Sequence, residues 1–189
     1  MIRQVHYFEK AGKGHTETCI DAAKQVLAEQ KKRYLVVAST TGETARKVFD
    51  AVQDIEDLKL VVVTHSAGFK ELNQIDFPQE LREEITAAGH HVLTTTILTH
   101  SLETSLATKF GGVMPTHIIA HSLRRFGEGT KVCCEIVMEA CDAGLIPEKA
   151  EVLAMAGTGH GADTVLLVQS VASKRFLELK VLEILAKPR

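Results

Sequence analysis

The sequence predicts a three-layer α/β/α fold on a mainly parallel sheet. Three observations carry that expectation. Four short segments, at 34–38, 59–64, 151–156 and 164–169, are almost continuously apolar, the pattern of strands covered by helices on both faces. Amphipathic segments with apolar residues three and four apart alternate with strands, as in α/β architectures. Turns rich in Ser, Thr and Gly stand where two of the strands end, at 39–42 and 157–161, the position at which open parallel sheets collect ligands. A length of 189 residues with 45% hydrophobic and 24% charged content suits one globular domain over 1–189 that buries roughly 70% of its unfolded surface.

The segment 3–7 is a short strand or an extended entry. Helix 16–30 has Ile20, Ala23 and Leu27 as its stripe and Thr16 as a candidate cap. Strand 34–38 runs through Ser39-Thr40-Thr41-Gly42 into helix 43–52, where Ala45, Val48, Phe49 and Val52 recur at helical spacing. Strand 59–64 precedes a long loop at 65–78. Helix 79–88 is closed by Gly89, which suits the residue just past a helix end. Strand 91–97 is rich in Thr and Val. Helices follow at 101–110, broken by Gly111-Gly112, at 115–125, with Pro115 early, and at 130–143, closed by Gly144. Strand 151–156, a flexible loop at 157–161 and strand 164–169 come next. In the tail, 177–185, Leu177, Leu179 and Val181 alternate as in a strand, while Leu182 and Leu185 break the alternation; strand and helix both stay open.

The formal charge is −2 and aromatic content is 5% with no Trp, which argues against a nucleic-acid surface and a base-stacking platform. The basic cluster Lys31-Lys32-Arg33 stands at a helix end, where cations suit the dipole. No apolar run approaches membrane length and no signal pattern opens the chain. The expectation is a cytoplasmic protein with no membrane and no nucleic-acid partner. The four cysteines, Cys19, Cys133, Cys134 and Cys141, form no CxxC pair. They read as small apolar core residues, with a redox role beside a bound cofactor as the alternative.

Three segments carry candidate binding chemistry. The first is the strand-to-helix turn. The hydroxyls of Ser39, Thr40, Thr41 and Thr44, with Gly42 for close backbone approach and Glu43 at the helix start, meet free amides and the positive end of a helix dipole. That is an anion cradle, or else a capped helix without a ligand. It lacks the GK[ST] of a Walker A loop. The second is GTGHGADT. Gly157 and Gly161 permit backbone approach, while Thr158, Ala162, Asp163 and Thr164 offer contacts to sugar, ribityl, phosphate or ring atoms; a plain hairpin turn is the alternative. The third, 7–17, brings Lys10, Lys13 and His15 to a helix entrance, as phosphate neutralisers or as ordinary loop residues. After strand 59–64, Thr64, His65, Gly68 and Phe69 converge on the same sheet edge.

His117 and His121 are four apart on one helix, but no carboxylate stands at a matching offset, so they read as helix-surface or core residues and no metal is expected. His90-His91 reads as a strand entry. Arg124-Arg125 and Lys131 read as surface charges, or as the entrance to a phosphate site. There is no GxSxG, and no carboxylates pair at a suggestive spacing.

Residues Ala38-Ser39-Thr40-Thr41-Gly42-Glu43-Thr44-Ala45-Arg46 resemble the strand, Ser/Thr-Gly turn and helix of the pyruvate kinase C-terminal domain. The segment 152–168, with Gly157, Gly161 and Thr164, is similar to that domain's Gly-rich loop between final strands. In several such kinases these loops hold the phosphates of a sugar bisphosphate effector. YF…GKGHTE, VVASTTGETA, VVVTHSAGF, KVCCEI, ACDAGLIP and AGTGHGADT further resemble a family of stand-alone proteins with this domain, mostly archaeal and largely uncharacterised. Flavin mononucleotide (FMN) is associated with that family. The resemblance implies an FMN cofactor with its phosphate on residues 39–44 and its ring and ribityl chain toward Thr64, Gly68, Phe69 and 157–164. The length leaves no room for a catalytic barrel beside this domain, so pyruvate kinase activity is not expected.

The expected function is binding of a phosphate-bearing small molecule, FMN first, with a flavin-dependent oxidoreductase of unknown substrate as the enzymatic form. A non-catalytic sensing module for a sugar phosphate or nucleotide is the alternative. A phosphosugar isomerase or transferase would need His65 or His160 as base. The apolar helices between Leu102 and Ile136 exceed what one sheet needs, which points to a homo-oligomer.

Overall fold

The computed structural model describes residue 2, residues 4–30 and residues 33–189. Arg3 of the first expected strand and Lys31-Lys32 of the basic cluster lie outside the described residues. The strands are β1 (His6–Phe8), β2 (Tyr34–Ala38), β3 (Lys59–His65), β4 (His91–Thr95), β5 (Glu151–Ala156), β6 (Thr164–Gln169) and β7 (Lys180–Pro188). The helices are α1 (Thr16–Gln30), α2 (Glu43–Val52), α3 (Gln79–Ala87), α4 (Leu102–Phe110), α5 (Pro115–Leu123) and α6 (Glu128–Asp142).

All seven strands form one sheet in the order β1-β7-β6-β5-β2-β3-β4. β2 pairs in parallel with β3 and β5, β3 with β4, and β1 with β7. β6 alone runs the other way, antiparallel to β5 and β7. The architecture is therefore the expected α/β fold with a mostly parallel sheet.

Successive strand residues point to opposite faces, and each central strand divides its apolar side chains between two cores. Leu35, Val37, Leu60, Val62, Leu153 and Met155 join Ile20, Leu27, Val48, Phe49 and Ile85 of α1, α2 and α3. Val36, Val61, Val63, Val152, Ala154 and Leu166 meet Cys133, Ile136, Val137 and Ala140 of α6. That division is why these strands read as unbroken apolar runs rather than alternating ones.

Helix 115–125 ends as α5 plus a 3₁₀ turn, Arg124–Phe126. α6 starts at Glu128, before the expected 130, and takes in Gly129. A Cβ at Gly129 would lie 2.2 Å from Thr164 Oγ1, so only glycine lets the helix begin against β6. Thr16 is the first residue of α1, and its hydroxyl donates to Lys13 O at 2.9 Å. The tail becomes a 3₁₀ segment, Ser173–Glu178, followed by β7. Against β6, Leu167 pairs with Glu183 but Val168 with Val181, and Val165 with Ala186 but Leu166 with Ile184. The residues passed over, Leu182 and Leu185, are those that break the alternation; they are bulges in a strand.

Candidate functional site

A cleft of 390 Å³ opens where β2, β3, β4 and β5 end. The chain leaves β2 toward β3 and β4 on one side, then returns to β5 on the other. Such reversals of strand order part the loops and create crevices. Four segments line the cleft: the turn after β2, the exits of β3 and β4, one face of α6, and the loop between β5 and β6.

In the turn, Ser39, Thr40, Thr41, Glu43 and Thr44 all line the cleft. Ser39 is fixed at both ends, its amide donating to Val63 O at 2.9 Å and its Oγ accepting the Ala45 amide at 3.1 Å. Thr64 Oγ1 donates to Thr40 O at 3.3 Å, tying the turn to β3. Ser39 thus caps α2. The amides of Glu43 and Thr44 find no acceptor among the described residues, and they sit at the positive end of the helix dipole. Gly42 is absent from the lining. Its φ is 87°, and a Cβ there would meet Leu81 Cδ2 at 2.9 Å and Pro78 Cδ at 3.0 Å. Close approach at Gly42 is to the start of α3 and not to the cleft.

Of the glycine loop, Gly157, Gly159, His160 and Gly161 line the cleft. A Cβ on Gly157 would fall 2.4 Å from Gly161 O, and one on Gly161 would fall 2.6 Å from Lys13 Cα. The loop folds on itself and against the N-terminal segment. Residues 162–164 lie beneath it. Ala162 donates its amide to Thr16 Oγ1 at 3.0 Å. Asp163 is fully buried and accepts the Gly12 amide at 2.9 Å and the Thr164 hydroxyl at 2.8 Å. These residues hold the loop from behind; they and Thr158 are outside the lining. Lys10 and His15 are outside it too: the His15 ring stacks on Phe8, centroids 3.9 Å apart, with Nε2 2.8 Å from Lys10 O. Gly68 is held within the 65–78 loop by its amide donating to Gln74 O at 2.9 Å.

Thr64, His65 and Phe69 line the cleft, joined by Lys70, Thr95 and Ile97. The His65 ring lies 4.0 Å from that of Phe69. Its Nδ1 is buried with no partner among the described residues, and burial lowers its pKa.

Of the α6 wall, sequence reasoning raised only Lys131, as one reading of a phosphate entrance, and missed the rest. Glu128, Lys131, Glu135 and Glu139 line the cleft three or four residues apart, interleaved with Val132 and Ile136. Lys131 is 2% exposed, not a surface charge. It pairs with Glu135. Glu135 Oε1 also accepts the Thr99 amide at 2.9 Å and the Thr99 hydroxyl at 2.6 Å. Glu139 Oε1 accepts the Leu98 amide at 3.3 Å. Burial first, and then the charge of Glu135, pushes the Glu139 carboxyl up to about 8. The available signal was Lys131, Glu135 and Glu139 at i, i+4 and i+8 within the otherwise apolar KVCCEIVMEA. Arg124 pairs with Glu128 at 2.7 Å. Arg125 borders a shallow hollow with His117 and His121, apart from the cleft. Among the described residues no three His, Cys, Asp or Glu side chains group as metal ligands.

The family model for the pyruvate kinase alpha/beta domain matches residues 17–168. The chain belongs to that family. The matched span of this pyruvate kinase alpha/beta domain protein contains every residue that lines the cleft. It is also similar to two crystal structures of pyruvate kinase from Cryptosporidium parvum, at 15% and 13% identity with TM-scores of 0.43 and 0.41. Each likeness covers 82% of this chain but only 23% and 22% of the kinase chain. The chain thus spans less than a quarter of those enzymes. No helix among the described residues is long and apolar enough to cross a membrane.

Proposed function

We propose that this protein binds FMN in the cleft at the strand ends, with the phosphate on the turn at residues 39–44. The observation that carries the reading is the pair of unsatisfied amides at Glu43 and Thr44 on the wall of a 390 Å³ cleft. That volume lies in the range of small-molecule sites, roughly 300–1,000 Å³. The residues present suit the group. Amides and hydroxyls at one end match a phosphate, and Phe69, Ile97, Val132 and Ile136 give apolar surface to a ring. Lining charges are largely offset, Lys131 against Glu135, Arg124 against Glu128 and Lys70 against Asp76 at 3.8 Å. A bound flavin supplies hydride and electron chemistry; the enzymatic form of the proposal is a flavin-dependent oxidoreductase of the mostly archaeal FMN-associated type. A visible absorption spectrum of the purified protein, with FMN fluorescence titration, tests it. Yellow protein or saturable quenching supports the reading; colourless protein that leaves FMN fluorescence unchanged overturns it.

A second reading is a sensing module for a sugar phosphate or nucleotide. It is favoured by the way both phosphate-type loops, 39–44 and 157–161, border one cleft. A thermal-shift screen separates the two, because stabilisation by sugar bisphosphates and not by FMN selects the second. The protein is further proposed to act as a cytoplasmic homo-oligomer. Four unpaired thiols suit a reducing compartment, and Leu102, Phe110, Val113 and Ile118 are 61–80% exposed on α4, α5 and their connection. Sedimentation velocity reads the oligomeric state.

A further inference from the structure

We propose that Glu139 is a specificity residue which, in its protonated form, hydrogen-bonds the polar edge of a heteroaromatic ring, through a ring carbonyl or ring nitrogen of the bound ligand. The inference rests on the flavin reading of the cleft and deepens it. α2 and α6 cover opposite faces of the sheet, so the α6 wall stands across from the phosphate turn. A ligand anchored at that turn extends toward it. Val132 and Ile136 give the wall its apolar surface, and Glu139 stands beside them.

The buried groups of this wall are not equivalent. Glu135 is held through both oxygens, by Lys131 on one and by Thr99 on the other. Glu139 is 5% exposed and has one oxygen on the Leu98 amide. Its other oxygen has no partner among the described residues. A carboxyl group in this state offers one O–H donor and one acceptor. With its own value near 8 it holds that proton at neutral pH. It then presents an O–H to a ring acceptor without setting a negative charge against the ligand. Above that pH the donor is lost and an uncompensated carboxylate replaces it, which weakens binding.

Other charged groups face Glu139. Glu135, Lys131 and Asp142 lie on α6, with His65, Lys70, Glu43 and His160 around the cleft. The phosphate itself ionises fully near pH ~6, so a profile taken from pH 7 upward excludes it. A Glu139→Gln variant keeps every other group and a neutral donor, so it isolates Glu139.

The experiment is titration of the full chain with FMN and with riboflavin between pH 7 and 9, read by fluorescence quenching. Binding that requires protonated Glu139 weakens about tenfold over this window. In Glu139→Gln the affinity at pH 7 stays within about threefold of the parent and is flat to pH 9. Calorimetry at pH 8 in two buffers of different ionisation enthalpy gives the same answer without a variant, as about half a proton taken up per flavin bound. A parent profile flat within twofold, the same fall in Glu139→Gln, or no proton uptake each overturns the inference while leaving flavin binding intact. Riboflavin binding as tightly as FMN with the tenfold fall retained supports Glu139 and removes the phosphate turn from the proposal. Binding of neither flavin at any pH overturns both.

Discussion

Gly42→Ala should destabilise the fold while leaving the cleft's chemistry alone. The perturbation has two parts. An L-residue at φ 87° carries a backbone cost of about 1–2 kcal/mol. The new Cβ would also press on Leu81 Cδ2 at 2.9 Å and Pro78 Cδ at 3.0 Å. Leu81 is buried in the α1–α2–α3 core, so it yields only by leaving its place, and overpacking of this kind costs about 1–3 kcal/mol. Together the loss is about 2–5 kcal/mol. For a chain of this size each kcal/mol moves Tm by roughly 2–4 °C, so a fall of roughly 4–20 °C is expected. Differential scanning calorimetry reads it. A double-mutant cycle with Leu81→Ala divides the two parts, because truncating Leu81 relieves the contact but not the dihedral. Flavin affinity of the folded fraction should stay within about threefold, since Gly42 is not on the cleft wall. A Tm within 2 °C of the parent, or affinity lost without stability, would refute the placement of Gly42 against α3.

Ser39→Ala and Thr44→Ala should behave oppositely. Removing the Ser39 Oγ that accepts the Ala45 amide costs about 0.5–2 kcal/mol of stability with little change in flavin affinity, whereas Thr44→Ala weakens FMN by about 1–2 kcal/mol if its hydroxyl meets phosphate; chemical denaturation and fluorescence titration measure the pair. Asp163→Ala strips the Gly12 amide and the Thr164 hydroxyl of their acceptor, costing about 1–3 kcal/mol, and trypsin should then cut faster after Lys10 and Lys13. Burial pushes Cys19 and Cys134 up to about 12 and raises Cys133 well above its ordinary value, so at pH 8 a disulfide thiol reagent should label no more than the half-buried Cys141 in the native protein and all four thiols after unfolding.

The sheet was legible because its strands are buried on both sides. Val36, Val61 and Leu153 leave no polar face that would confuse the period. Helix ends were legible where local chemistry sets them, as at Gly89 and Gly144. They were not legible where a distant contact decides: Gly129 belongs to α6 because Thr164 sits against it. The turn at 39–44 announced itself through adjacent residues. The α6 wall did not, because Lys131 and Glu135 look like a solvent-facing ion pair until packing against Thr99 places them inside. Asp163 likewise shows a carboxylate beside a glycine loop in sequence, and only the fold reveals that its partner is Gly12, 151 positions away.

That pairing has a bearing on how the molecule is made. β1 lies against β7, His6 beside Ala186 and Phe8 beside Pro188, and Thr16 closes on Ala162 across 146 positions. During synthesis residues 6–8 must wait for residues 186–188 to leave the ribosome, and contacts of such sequence separation form slowly. The central strands need not wait, for β2, β3 and β4 are close neighbours in the chain. The glycine loop therefore meets its backing, Gly12 and Thr16, only once residues 162–163 have been made, and the sheet closes later, when β7 docks between β6 and β1.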